Sequence, residues 1–207
     1  MNRKLLAGLS IITLLAALAW LYLRHRPTVV PFTGPQFDRL GQFAGDEISK
    51  LLRNRGTVVI VQWDVTFAGI SRYDAQIAQL KSQVASHGIK VSTIETIKVK
   101  YQDTTLAARF AKVVSQYSTA DAIVLVGPAY GLTVADLAAL PSPHPQLMSV
   151  LALQTGLKTM FDRHLISLAI TDALLAENIK SSDRDFLVLT DKNASELPNR
   201  SDLISTP

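Results

Sequence analysis

Residues 57–63 read Thr-Val-Val-Ile-Val-Gln-Trp, a run of mostly apolar and β-branched side chains that directly follows Gly56. β-branched residues favour an extended chain. Apolar character that is continuous rather than alternating indicates a strand buried on both faces, as in a parallel sheet that is covered by helices. The sequence therefore predicts that this segment is an inner strand of an α/β domain.

Helical and strand-like patterns alternate along the rest of the chain. Apolar side chains recur at spacings near 3.6 over residues 37–52, 73–84 and 106–117, and a short helix opens at the capping-box pair Thr133 and Asp136. Further strand-like segments lie at residues 89–99, 122–126, 148–153, 165–170 and 186–189, with a helix at 157–161. This alternation predicts an α/β fold with a doubly wound, mainly parallel three-layer sheet.

An uncharged run from Leu5 to Leu23 precedes the domain. At 1.5 Å per residue its 19 residues span about 28 Å, close to the roughly 30 Å hydrocarbon core of a bilayer. We interpret residues 1–26 as a transmembrane signal-anchor, and the alternative is a signal peptide that is cleaved after Ala19. A short basic N-terminus favours a cytoplasmic start, which predicts a periplasmic or extracellular domain.

The remainder of the chain divides into three parts. Residues 27–36 contain three prolines and read as an extended spacer. Residues 37–191 carry the α/β pattern and form the predicted domain. Residues 192–207, rich in Ser, Asn and Pro, read as a loose tail.

Composition and missing motifs exclude several function classes. The absence of cysteine excludes disulfides, thiolate zinc sites, iron–sulfur clusters and thiol catalysis. Four of the 21 basic residues lie in the first 26 positions, so the other 17 balance the 17 acidic residues and disfavour a nucleic-acid partner. The usual dinucleotide, nucleotide and α/β-hydrolase signatures are missing, and no two histidines have zinc-ligand spacing. The sequence therefore predicts no cofactor, no resident metal and no enzyme activity.

Polar side chains at the ends of the predicted strands are the candidate site residues. Ligands of open parallel sheets bind beyond the carboxyl ends of the strands, which selects as ligand-binding candidates Asp64, Tyr130, Gln154 and Asp172. A second interpretation lets Asp64, Asp172 and Asp191 converge on a divalent cation, since hard cations prefer carboxylate oxygens. The competing structural interpretation is that each aspartate only caps a turn or a helix.

A longer pattern carries a family resemblance. It consists of the helix FDRLGQFAGDEISKLL at 37–52, the strand RGTVVIV at 55–61, the turn AGIS at 68–71 and the strand ADAIV at 120–124. In these features residues 37–140 resemble one lobe of a periplasmic sugar-binding protein of the ribose-binding type. The resemblance implies a type I periplasmic-binding-protein-like fold, and members of that family close two lobes around a sugar.

The chain departs from this family at the positions that bind sugar. The basic residue after the AGIS turn is displaced to Arg72, and Gly127-Pro128-Ala129-Tyr130 stands where the family has an Asn-Asp pair. The residues after the predicted anchor also match one lobe rather than two. No ligand-binding residue of the family can therefore be carried over to this chain.

Three functions follow from these observations. The first is a membrane-anchored binding or interaction module of the cell envelope, whose partner is an envelope protein or a second copy of the chain. The second is a small-molecule sensor that binds its ligand at the carboxyl edge of the sheet. The third is divalent-metal-dependent phosphotransfer or hydrolysis.

Overall fold

The computed structural model describes residues 17, 20, 35–64, 73–99, 103–127, 132–151, 157–172 and 186–194. The chain divides into two units, residues 1–30 and 31–207. In the first unit Ala17 and Trp20 are helical and exposed. Within the described residues no helix has the length and apolar character needed to span a bilayer. Apart from Ala17 and Trp20, the predicted anchor lies outside the described part of the chain.

Helices and strands alternate in the second unit. In chain order they are α1 (Pro35–Leu51), β1 (Thr57–Asp64), α2 (Asp74–Ser86), β2 (Lys90–Lys98), α3 (Leu106–Gln116), β3 (Ala122–Val126), α4 (Val134–Ala138), β4 (Gln146–Val150), α5 (Leu157–Asp162), β5 (Leu168–Asp172) and β6 (Phe186–Leu189). The predicted capping box opens α4, because Thr133 Oγ1 accepts from the Asp136 N–H and Asp136 Oδ2 accepts from the Thr133 N–H.

The strands form one mixed sheet with the order β2-β1-β3-β4-β5-β6. The first five strands are parallel, and β6 runs antiparallel to β5. Helices cover both faces of this sheet. The prediction of a mainly parallel, three-layer α/β domain is therefore confirmed.

β1 shows why its apolar run is continuous. Val59, Val61 and Trp63 pack into a core with α3, α4 and α5. Val58 and Ile60 point the other way, into a second core with α1 and α2. A strand between two helical layers buries both of its faces, so it has no polar face to alternate with.

Several element boundaries differ from the predicted ones, and α1 begins at Pro35, inside the predicted extended spacer. β4 ends at Val150 because Leu151 adopts a left-handed backbone, with φ of 63°. β5 begins at Leu168 because the preceding residues close α5: His164 is left-handed, and the Leu165 N–H donates to the Met160 carbonyl at 2.8 Å. Apolar composition alone does not show where such turns interrupt a run.

Helices α1 and α2 pack closely at two glycines of α1. A Cβ built on Gly41 would lie 2.4 Å from the carbonyl oxygen of Gln76, and one built on Gly45 would lie 2.5 Å from the Cβ of Gln83. Asp46 adds polar contacts between α1 and the end of α2. Its Oδ1 accepts a hydrogen bond from Gln83 Nε2 and contacts His87 Nε2, both at 2.7 Å. The hydrogen bond from Gln83 lowers the pKa of Asp46, with smaller contributions from His87 and Lys50 against an opposing effect of burial.

This lowered pKa predicts acid sensitivity of the α1–α2 contact. A carboxyl group whose pKa is depressed in the folded state stabilises the fold above its unfolded pKa, and that contribution is lost as the pH falls through the folded pKa. We therefore expect stability to fall more steeply below about pH 4 in the wild type than in Asp46→Asn. Because the Asp46 side chain is 40% exposed, the difference at neutral pH should be at most about 1 kcal/mol.

Urea unfolding between pH 7 and pH 2 measures this difference. Gln83→Ala is the matched second variant, because it removes the largest cause of the shift and keeps the carboxylate. Its loss of unfolding free energy at low pH should be intermediate between those of the wild type and Asp46→Asn. The same pH dependence in all three proteins would contradict the prediction.

Candidate ligand site at the carboxyl edge of the sheet

The strand order reverses between β1 and β3. Helix α2, which follows β1, packs on one face of the sheet, and α4, which follows β3, packs on the other. When the helices that follow two neighbouring strands lie on opposite faces, a crevice opens beyond the carboxyl ends of those strands. Asp64 ends β1 and Gly127 follows β3, so the topology places the candidate site between these two residues.

Tyr73 covers the β3 side of this crevice. It immediately precedes α2 and is 1% exposed. A Cβ built on Gly127 would lie 2.5 Å from Cε2 and 3.1 Å from the hydroxyl oxygen of Tyr73. Gly127 also has a φ of +94°, a conformation that side chains disfavour. The tyrosine ring therefore occupies the space that any side chain at position 127 would need.

Two polar side chains of β1 are buried at the same edge. Gln62 is 8% exposed and Asp64 is 9% exposed. Gln62 Nε2 donates to Thr96 Oγ1 on β2 at 2.7 Å, whereas the buried Gln62 Oε1 has no hydrogen-bond partner among the described residues. An unsatisfied buried carbonyl costs about 1–3 kcal/mol, so this amide is an energetically unfavourable feature of the domain as it stands.

The neighbouring end of β2 is held in place by α3. Arg109 donates from Nη1 to the Lys98 carbonyl at 2.6 Å and forms an ion pair with Asp103. Asp103 Oδ1 also accepts from the backbone N–H of Thr105 at 3.0 Å. The Arg109 charge at this edge is therefore compensated within the domain, and Asp103 is compensated with it.

The strand register locates the residues that the sequence singles out. Gln62 is level with Val126, Val126 with Val150, and Val150 with Ile170. Asp64 and Asp172 each lie two residues beyond this row, so their backbones share the carboxyl edge. Three strand intervals of about 4.8 Å separate them by roughly 14 Å. Tyr130 and Gln154 lie outside the described residues.

The strand directions oppose a cation site shared by three aspartates. Asp191 follows β6, whose antiparallel direction carries it to the amino edge of the sheet, where its Oδ2 lies 3.7 Å from His164 Nδ1. Asp64 and Asp172 are too far apart for one cation, whose oxygen ligands lie at about 2.3–2.6 Å. The prediction that Asp64, Asp172 and Asp191 converge is therefore wrong. In the described ranges no cluster of three or more potential metal ligands occurs.

Comparisons with known proteins identify the architecture. No model of a known protein family matches the sequence, and no curated protein matches it. AraP, an arabinose-binding protein from Geobacillus stearothermophilus, is similar in structure, with a TM-score of 0.54 and 14% identity over 78% of this chain and 63% of AraP. An ABC transporter solute-binding protein from Agrobacterium vitis, bound with α-D-tagatopyranose, has a TM-score of 0.55 and 17% identity over 87% of this chain and 68% of that one.

A third structure, the XylFII–LytSN complex, has a TM-score of 0.56 and 14% identity over 75% of this chain and 60% of that one. The domain has the type I periplasmic-binding-protein-like fold. The described residues form one lobe of it, which confirms the resemblance seen in the sequence. The chain spans less than two thirds of the length of AraP.

Within this periplasmic-binding-protein-like lobe, sequence reasoning missed three residues of the site: Gln62, Tyr73 and Thr96. Gln62 had a visible signal, because it is the one amide in the apolar run at 57–63. Tyr73 fits the apolar stripe of α2 and reads only as a core residue. Its contact with Gly127 and the bond between Thr96 and Gln62 join segments that are distant in sequence, so no local pattern shows them.

Proposed function

We propose that this chain is an extracytoplasmic binding module whose lobe binds a small, polar, uncharged ligand at the crevice between β1 and β3. The observation that carries the proposal is that two buried polar side chains of β1, Gln62 and Asp64, lie next to the end of β3 at the point where the strand order reverses. Tyr73 packs against Gly127 at that end of β3. The fold supports it, since the similar proteins are described as binding arabinose and α-D-tagatopyranose. Binding without catalysis accounts for these features.

The chemistry of the crevice favours a ligand rich in hydroxyl groups. Asp64 and Gln62 offer oxygen acceptors, which hydroxyl donors satisfy. The nearby Arg109 is already paired with Asp103 and bonded to the Lys98 carbonyl, which leaves little attraction for an anion. The balanced charge of the domain adds no long-range field for a charged ligand.

Calorimetric titration of the full-length chain in detergent tests this proposal. The probes are D-arabinose, myo-inositol and D-tagatose. The first two are bound in similar structures, and the third is the sugar whose α-pyranose form is bound in another. At least one probe should bind, and Asp64→Asn should weaken its binding at least tenfold, because hydrogen bonds to a charged acceptor are the stronger ones. Asp162→Asn is the matched control, since it removes an exposed carboxylate at the end of α5. Absence of binding by every probe would refute the proposal.

Three further candidates belong to the same proposal. Tyr130 and Gln154 follow β3 and β4 in sequence, and Asp172 ends β5. If they line the site, Tyr130→Phe, Gln154→Ala and Asp172→Asn should each weaken binding of the same probe without lowering the unfolding midpoint. Unchanged affinity in all three variants would confine the site to the β1 side.

Membrane attachment through residues 5–23 is the second part of the proposal. The uncharged run, its basic flanks and the likeness to solute-binding proteins of ABC transporters support an anchored domain on the outer side of a membrane. The chain should stay with membranes in alkaline carbonate, and external protease should digest the domain. Release by carbonate, or full protection in sealed cells, would contradict this part.

Protein binding along β2 is a second candidate function. β2 is an edge strand that pairs only with β1 in the described sheet, and its Ile94 is 38% exposed. One similar structure is itself a complex, that of XylFII with LytSN. A photo-crosslinker at position 94 should then capture an envelope protein or a second copy of the chain, and the same crosslinker at the α2 position Ser82 should not. Equal labelling at both positions would exclude β2 as the interface.

A further inference from the structure

We propose that Gln62 is a specificity-determining residue, whose Oε1 accepts a hydrogen bond from a hydroxyl group of the ligand. This inference rests on the proposed ligand site and adds to it a requirement on ligand chemistry. The ligand must carry a hydrogen-bond donor that reaches Gln62, two residues before the end of β1, in addition to any group that contacts Asp64.

The surroundings of Gln62 leave one end of its amide unsatisfied. Its neighbour on β2 is Thr96, whose hydroxyl accepts from Nε2 at 2.7 Å. Its neighbour on β3 is Val126, whose side chain cannot donate. The backbone groups nearby are engaged in the parallel ladders of β1 with β2 and β3. Among the described residues no donor therefore reaches Oε1.

Buried polar atoms without a partner are rare in folded proteins, and each one requires an explanation. The Nε2 bond to Thr96 gives one end of the amide a structural role, but it does not explain why Oε1 is buried without a donor. A binding role does explain it, since a ligand hydroxyl supplies the missing donor only in the complex. Ligands that carry this donor should therefore bind more tightly than ligands that lack it, because only they satisfy the carbonyl.

The position of Gln62 suits a small ligand. It lies two residues before Asp64 on the same face of β1, a separation of about 6.6 Å along the strand. One molecule with two hydroxyl groups on opposite sides of a ring can reach both side chains. Thr96 is exposed, so the Gln62–Thr96 pair is close to solvent on the β2 side.

Gln62→Met in the full-length chain tests the inference with two readouts. The unfolding midpoint of the free protein should rise by about 3 °C, because the gain from removing the unsatisfied carbonyl exceeds the loss of the Nε2 bond to the exposed Thr96. Affinity for the probe that the wild type binds, among D-arabinose, D-tagatose and myo-inositol, should fall about 10- to 100-fold, because the ligand hydroxyl loses its acceptor. Gln42→Met is the matched control, since Gln42 donates to Gln79 on the exposed α1–α2 surface. It should change neither quantity.

Deoxy derivatives of the bound sugar identify the hydroxyl. One derivative should bind the wild type 10- to 100-fold more weakly than the parent sugar, and Gln62→Met should not distinguish the two. Equal discrimination by both proteins at every hydroxyl overturns the inference while leaving the proposed function intact. Absence of binding to the wild type overturns both.

A crystal structure of the sugar complex supplies the direct readout. The expected result is a ligand hydroxyl within hydrogen-bond distance of Gln62 Oε1. A buried water at Oε1, present both with and without the sugar, would explain the atom as structural. That result would overturn the inference even if the affinity of Gln62→Met were reduced.

Discussion

Gly127→Ala should abolish ligand binding and lower the free energy of unfolding by about 3 kcal/mol. Two effects add at this position. Alanine is strained at a φ of +94°, and its Cβ would lie 2.5 Å from a ring carbon of the buried Tyr73. An aromatic ring cannot bend away as a long flexible side chain can, so the end of β3 or the start of α2 must move. Either movement changes the crevice itself.

Gly88→Ala separates these two effects. Gly88 has a similar φ of +83°, but the nearest atom to a Cβ there is the carbonyl oxygen of Asn54, at an ordinary distance of 3.5 Å. In this control only backbone strain should lower the free energy of unfolding, by about 1–2 kcal/mol, and ligand binding should be normal. Urea unfolding and sugar titration of both variants provide the comparison. Equal losses of stability, or retained binding in Gly127→Ala, would show that the Tyr73 contact does not shape the site.

The architecture was predictable because its causes are local. The apolar run at 57–63 has to be buried on both faces, and the helical stripes around it supply the two covering layers. These patterns depend on residues within one element, so they can be read from the sequence. The direction of β6 depends instead on pairing between β5 and a segment more than a dozen residues later. For that reason the sequence analysis wrongly grouped Asp191 with Asp64 and Asp172 at the carboxyl edge of the sheet.

The candidate site was predictable only in part. That polar residues at strand ends share one edge follows from parallel pairing, and Asp64 and Asp172 illustrate it. Their separation follows from the strand order, which puts β3 and β4 between them. Gln62 and Tyr73 became site residues only through contacts with β2 and β3. The sequence thus predicted a site along several strand ends, whereas the strand order favours the crevice between β1 and β3.

The α1–α2 contact carries the second large effect, which we expect for Gly41→Ala. A new Cβ would lie 2.4 Å from the Gln76 carbonyl oxygen and 2.8 Å from the Gln79 Cβ. Alanine favours a helix by about 1 kcal/mol over glycine, so an unhindered exchange would stabilise α1. Separating two packed helices costs more than this gain, and we expect a net loss of about 3 kcal/mol.

Comparison within α1 and α2 makes this prediction specific. Gly45→Ala meets the Gln83 Cβ at 2.5 Å, and because this atom is fixed to the α2 backbone, its loss should be similar, about 3 kcal/mol. Ser82→Ala on the exposed side of α2 should change stability by less than about 0.5 kcal/mol. Urea unfolding of the full-length chain gives all three values. If Gly41→Ala were as stable as Ser82→Ala, the two glycines would not be needed for close packing, and α1 would have room to shift over the sheet.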